Sequence, residues 1–585
     1  MKRFSLLLAA VLAALPAAAD APGMRNKGSF IQLTTRSWFT FDPAAAFDAV
    51  SFIVTGNVYE PLITFKNVDD PEALMPFLAS QVPSVANGLL SKDGLRYRFP
   101  IREGVKFHSG DPLTPEDVRY SLLRFMLHDI EGGPSALLLR PVLGVYSTRG
   151  EDGKIALDFE KAAAAVRVDG DSVVVRLAAP DKTFLKALAS LPIVVSKPWS
   201  IAHGEWDGTA GSWERFNDRP LEKSYYHDHA NGTAPFRVES ADAESGSLLL
   251  KRHDAYWRAA ASLEEVRLRV VPSKALRLWM LENGDADGSY FEDRDFSEAK
   301  DLDGVRVVEQ PFYASLGEVL FFGFQVDAAS PRIGSGKLDG KGISPDFFSN
   351  PDVRKGFAAA LDYEGYLKRG LGMRGRRAPG PVPELFLPGQ APAATVFDLK
   401  AAERHFKKAF GGALWEKGFS LTLAYSPSNA SRVVLANLMK AGLEKVNPKF
   451  RIEIQRLPSA EIYEEAEAGR LPLFIAGYYS DYPDPHSFAF GLLHGAGYYP
   501  KAQRYSNAKL DAMIEEAAAV SDPELRRERY RKISAAAAED PAQIYTYQPA
   551  RFSAVRDWVR GLDATDNVNN LRLNNFPYFY SLSKS

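Results

Sequence analysis

Strand-like and helix-like stretches alternate along this chain from end to end, and that order constrains the fold more than any other feature of the sequence. Leu95, Tyr97 and Phe99 alternate with Arg96 and Arg98, the period-two pattern of a half-buried strand. Val173, Val175 and Leu177 follow Gly170-Asp171 in the same way, and Phe450, Ile452 and Ile454 alternate with Arg451, Glu453 and Gln455. Helix starts fall between them. Thr114-Pro115-Glu116-Asp117 offers a capping hydroxyl, a proline at the first helical position and a carboxylate at the third, ahead of Val118, Leu122 and Phe125 on one face. Asn350-Pro351-Asp352 and Asp522-Pro523-Glu524 repeat that chemistry, and Ser273 is expected to open a helix through Leu281 that Gly284 ends. No short repeat marks a solenoid. The interleaving predicts α/β lobes. Because a single core stops growing at about 250 to 300 residues, a chain of 585 residues predicts two or three of them.

The first nineteen residues carry a different signal. Lys2 and Arg3 form a basic start, Phe4 to Leu15 an apolar stretch, and Ala17-Ala18-Ala19 an A-x-A cleavage site before Asp20. The apolar run is shorter than the roughly 20 residues that span a bilayer, so a secretory signal peptide cleaved after Ala19 is expected. With no cysteine anywhere, disulfides, thiolate metal sites, a cysteine nucleophile and a lipid-bearing cysteine at the cleavage site are all excluded. The expected product is exported, periplasmic and not a lipoprotein. A formal charge of -2 provides no single-sign field for nucleic acid or an anionic membrane surface, so ligand chemistry must be local.

Two local features invite a ligand and are outweighed. Gly334, Gly336, Gly340 and Gly342 lie in a stretch expected to be an exposed, flexible loop, and its Gly336-Lys337 pair lacks the spacing and the hydroxyl residue of a phosphate-binding loop. His227-Asp228-His229 would place two imidazoles on one face of a strand, yet no third ligand is spaced to complete a metal set, so no metal site is expected.

The segment YRFPIREGVKFHSGDPLTPEDV, Tyr97 to Val118, closely resembles the signature of the family 5 extracellular solute-binding proteins, the dipeptide and oligopeptide binding group. Arg102, Gly104, Val105, Lys106, Phe107, His108, Gly110, Thr114, Asp117 and Val118 match it, with Tyr97 in place of Trp and Ile101 in place of Leu. Asn57 to Leu62, Asn231 to Phe236, Tyr256-Trp257, Gly284 to Asp287, and Asp352 to Arg354 with Ala358 and Asp362 are similar to further blocks of the family, in its order. The resemblance implies a two-lobed, hinged binding protein of the large three-domain kind. It implies domain I from 20–61, 230–310 and 536–585, domain II from 62–229 and domain III from 311–535. The chain would cross between the lobes near Pro311 and Ala536. Such a protein captures a peptide or peptide-like ligand and delivers it to the membrane-embedded permease of an ABC importer, as a monomer with no catalytic residues and no cofactor.

Gly477 to Phe488, GYYSDYPDPHSF, is similar to the block that in peptide-binding members supplies an aspartate for the ligand's α-ammonium group. The resemblance puts Asp481 in that role. A closed cleft strengthens such a pairing provided neither charge is left alone. The competing reading makes Asp481 the cap of a turn that Pro483 and Pro485 impose. Tyr478, Tyr479 and Tyr482, with Tyr498 and Tyr499 close behind, could line a wet pocket or pack beneath a loop. Where some relatives hold the ligand carboxylate with an arginine three residues before the aromatic, this chain has Ile475, which favours longer or differently terminated ligands. Alternatives are an oligosaccharide, opine or metal-chelate binder in the same fold, and an exported hydrolase. The hydrolase lacks both a G-x-S-x-G and an H-E-x-x-H motif.

Overall fold

The computed structural model describes residues 23–66, 70–150, 152–310, 315–389, 396–427, 429–562 and 577–585. The expected leader with its cleavage point at Ala19, and Pro311, lie outside the described residues.

Strand β1 (Ser29–Thr34) opens the chain. A small antiparallel sheet follows from β2 (Arg96–Pro100), β3 (Val166–Asp169) and β4 (Ser172–Arg176), in the order β2-β4-β3. Five strands then return beside β1: β5 (Phe236–Asp242), β6 (Ser247–Arg252), β7 (Glu265–Val270), β8 (Gly288–Ser289) and β9 (Val305–Gln310). A second sheet collects β10 (Leu316–Phe322), β11 (Phe419–Tyr425), β12 (Phe450–Arg456), β13 (Leu473–Tyr478) and β14 (Gln543–Tyr545), in the order β12-β11-β13-β10-β14. Strand β15 (Arg551–Arg556) closes the first sheet as β9-β15-β8-β1-β7-β6-β5. Because β14 still pairs with β10, the chain leaves the five-stranded sheet after Tyr545 rather than near Ala536.

The helix signals act as their chemistry dictates. At Thr114, ahead of α1 (Pro115–His128), the hydroxyl accepts from Asp117 N at 3.3 Å while the Asp117 carboxylate accepts from Thr114 N at 2.9 Å. Helix α1 covers the small sheet, and its Val118, Leu122 and Phe125 join Tyr97, Phe99, Val173 and Val175 in one core. Strand β13 is buried on both faces: Leu473 and Ile475 join one apolar cluster, Phe474, Ala476 and Tyr478 another. The glycine-rich stretch departs from expectation. Gly334 bridges Gly342, Ile333 and Ile343 are fully buried, and a Cβ on Gly342 would come within 2.3 Å of Ser335 N. Gly334, Gly340 and Gly342 permit close backbone approach, and Gly336 takes a left-handed φ of 68°.

Four of the motif blocks meet at one point. Fully buried Glu60 accepts from Thr233 Oγ1 at 2.7 Å, Tyr256 Oη at 2.7 Å and Trp257 Nε1 at 3.0 Å. Beside it His108 N donates to Gly232 O at 2.8 Å, and Ser109 N to Asn231 Oδ1 at 3.0 Å. A Cβ on Gly232 would sit 2.0 Å from Val58 O, which is why the turn needs glycine there. These blocks fasten distant segments together. They are a structural junction.

Candidate functional site

Strand direction locates the cleft. In the seven-stranded sheet β1, β7 and β8 run parallel and end at Thr34, Val270 and Ser289. In the five-stranded sheet β11, β12 and β13 run parallel and end at Tyr425, Arg456 and Tyr478. Both chain passages between the sheets, from Gln310 to Leu316 and from Tyr545 to Arg551, leave from these same ends. The carboxyl ends of parallel strands are where open α/β sheets bind ligands, since the chain turns away there and leaves a crevice.

Asp481 stands three residues beyond the end of β13, partly exposed. Its backbone N–H donates to Ser487 Oγ at 2.9 Å, and its carboxyl lies beside the hydroxyls of Tyr478 and Ser487. Among the described residues no lysine or arginine forms an ion pair with it. Removal from water therefore dominates, and despite those two hydroxyls the carboxyl is pushed from 3.8 up to about 7.

Asp484, one turn further on, has the opposite environment. It caps α2 (Pro485–Leu493) by accepting from His486 N at 2.9 Å, and it is fully buried. Burial alone would disfavour its charge. Arg526, from the helix Pro523–Glu539, reaches both carboxylate oxygens at 2.9 and 2.7 Å, and Lys186 reaches one at 2.8 Å, which holds it well below the usual carboxylate range. Lys186 lies on the helix Phe184–Ala189, so this buried triad ties the small-sheet region to the region of the five-stranded sheet. The turn-forming role weighed for Asp481 belongs to Asp484.

The tyrosines separate. Tyr478 is buried, donates to Ser487 O at 2.7 Å and packs edge-on against Phe488. Tyr482 is buried with its hydroxyl 2.7 Å from His486 Nδ1, and Tyr499 donates to Gly477 O at 2.7 Å while stacking on Phe321. These three shape the turn from beneath. Tyr479 is 45% exposed, and Arg551 donates to its hydroxyl at 2.6 Å with the guanidinium 4.7 Å from its ring centroid. Arg551 begins β15, so this contact joins the two sheets across the cleft.

Other charges near the cleft were not legible in the sequence. Buried Glu318 of β10 accepts from Tyr366 Oη at 3.1 Å and Asn429 Nδ2 at 2.6 Å, with Arg432 3.5 Å away. Asp293, beyond β8, is raised to about 6 by burial, against the pull of Arg551. No local motif announces such residues, because each arrives from a different strand end. His227 and His229 lie on and just after a 3-10 turn, Tyr225–His227, and not on a strand. His229 stacks on Tyr225, and among the described residues no group of three metal-ligating side chains occurs.

Against this geometry the comparisons with known proteins are consistent. The chain belongs to the bacterial extracellular solute-binding proteins, family 5, whose model matches residues 75–500. It is similar to heme-binding protein A of Haemophilus influenzae, 23% identical over 576 residues that cover 95% of this chain and 92% of that protein. It is also similar to the dipeptide-binding protein DppE of Bacillus subtilis, 24% identical over 513 residues that cover 83% and 80%. Among solved structures it resembles the periplasmic binding protein DppA of Helicobacter pylori in complex with the peptide STSA, with a TM-score of 0.74 at 19% identity, covering 95% and 98% of the two chains. The fold is thus the two-lobed binding-protein architecture, and no helix among the described residues is long and apolar enough to cross a membrane.

Proposed function

We propose that this protein captures a peptide or peptide-like ligand between its two lobes and hands it to the permease of an ABC importer, without altering it chemically. The observation that carries the reading is Asp481: a partly buried carboxyl at the strand-end crevice, beside two hydroxyls and with no ion-pair partner among the described residues. A ligand ammonium would supply the missing charge. Relatives named for dipeptide binding, and a neighbour solved with a peptide, support the ligand class. The leader at residues 1–19 supports a periplasmic location with maturation after Ala19. Sheet membership supports three domains, and the pairing of β14 with β10 supports a last return to the first domain after Tyr545.

Calorimetry tests the reading with a free peptide and its N-acetylated form. The wild type is expected to bind the free peptide at least about tenfold tighter, and Asp481→Asn to erase most of that difference. Equal binding of the two forms by the wild type would refute the ammonium role.

A further inference from the structure

The amine reading of Asp481 leaves the other end of a free peptide without a partner. Ile475, where the resemblance would place a carboxylate-binding arginine, is fully buried inside β13 and cannot meet it. Several guanidinium groups stand near the strand ends, and Arg374, Arg432 and Arg551 come from segments linking the two sheets or packing on them. Arg374 is neutralised by Glu309 at 2.9 Å, and Arg432 by Glu318 at 3.5 Å. Arg551 has no carboxylate within ion-pair distance among the described residues, and its hydrogen bond goes to the neutral hydroxyl of Tyr479. Tyr290 and Asp293 face it from the end of β8, neither of them bonded to it.

A guanidinium presents five N–H donors in a planar fork suited to a carboxylate, and one tyrosine hydroxyl leaves most of them unused. Arg551 also belongs to the sheet opposite Asp481. We infer that Arg551 binds the carboxylate of the ligand, so that a zwitterionic peptide spans the cleft from Asp481 on one wall to Arg551 on the other. The inference rests on the amine reading above and deepens it. It gives closure a direct cause, since the two ends of one molecule engage both lobes.

The test is calorimetry with di-, tri- and tetra-alanine and their C-terminal amides, on the wild type and on Arg551→Met, Arg551→Lys and Arg432→Met, each checked for folding by thermal melting. Amidation of the best-bound peptide is expected to weaken wild-type binding at least about tenfold and Arg551→Met binding less than about twofold. Arg551→Lys keeps the charge without the fork and retains part of the discrimination, and Arg432→Met retains all of it. An amide penalty that survives in both Arg551 variants, or that disappears in Arg432→Met, overturns the role of Arg551. Asp481 is read separately by N-acetylation, so that result leaves the peptide reading standing. If no peptide of the series binds the wild type, both fall together.

Discussion

Replacing Asp481 by asparagine should make the free protein more stable and the binding protein worse. The carboxyl is raised from 3.8 to about 7 by burial with no cation beside it. A group whose folded pKa lies above its unfolded value favours the folded state when protonated. Its contribution is therefore full at pH values below the unfolded pKa and is lost as pH rises through about 7. Three units at about 1.4 kcal/mol each set a ceiling of about 4 kcal/mol, and partial exposure to water reduces the expected effect to about 2 kcal/mol. Asp481→Asn keeps the shape and its backbone bond to Ser487, but it never ionises. Urea unfolding without ligand should show the variant about 2 kcal/mol more stable than wild type at pH 8 and equal to it near pH 4. The same change should remove about 2 to 5 kcal/mol of peptide affinity. A variant that is destabilised at both pH values, or whose advantage does not grow with pH, would refute the claim that Asp481 is held uncompensated for its ligand.

Three further outcomes follow from the packing. Glu60→Gln places an amide donor among the Thr233, Tyr256 and Trp257 donors, and should cost about 3 kcal/mol in urea unfolding while leaving peptide affinity unchanged. Lys186→Met leaves buried Asp484 with Arg526 as its remaining cation, and should lower the melting temperature in step with a loss of about 3 kcal/mol. Ligand should compact the protein in small-angle scattering if it reverses a 1:99 population of closed and open lobes, which requires about 5.5 kcal/mol of differential affinity. An unchanged radius of gyration at saturation would count against hinge closure.

Much of the scaffold could be read from the chain because its causes are local. Thr114 and Asp117 cap a helix whatever surrounds them, and Tyr97 and Phe99 alternate because one face of their strand is covered. Glu60, His108 and Tyr256-Trp257 were recognisable as motif residues, but their convergence is a product of tertiary packing that no spacing encodes. The site was half legible. Asp481 follows from its block. Its distinction from Asp484, three residues on, depends on Lys186 and Arg526, which come from elsewhere in the chain. Tyr478 and Tyr482 look like pocket residues in sequence and turn inward because Ser487 and His486 take their hydroxyls. Arg551 carries no sequence signal, since its partner Tyr479 lies across the cleft, 72 residues earlier.

The central claim is that a peptide occupies the crevice between the two sheets. Native mass spectrometry of the protein, purified gently from the compartment in which it works, tests this most directly. The account predicts added masses that fragment as short unmodified peptides in the wild type and that are depleted in Asp481→Asn. A bound species that is not a peptide, carried equally by both proteins, would contradict it.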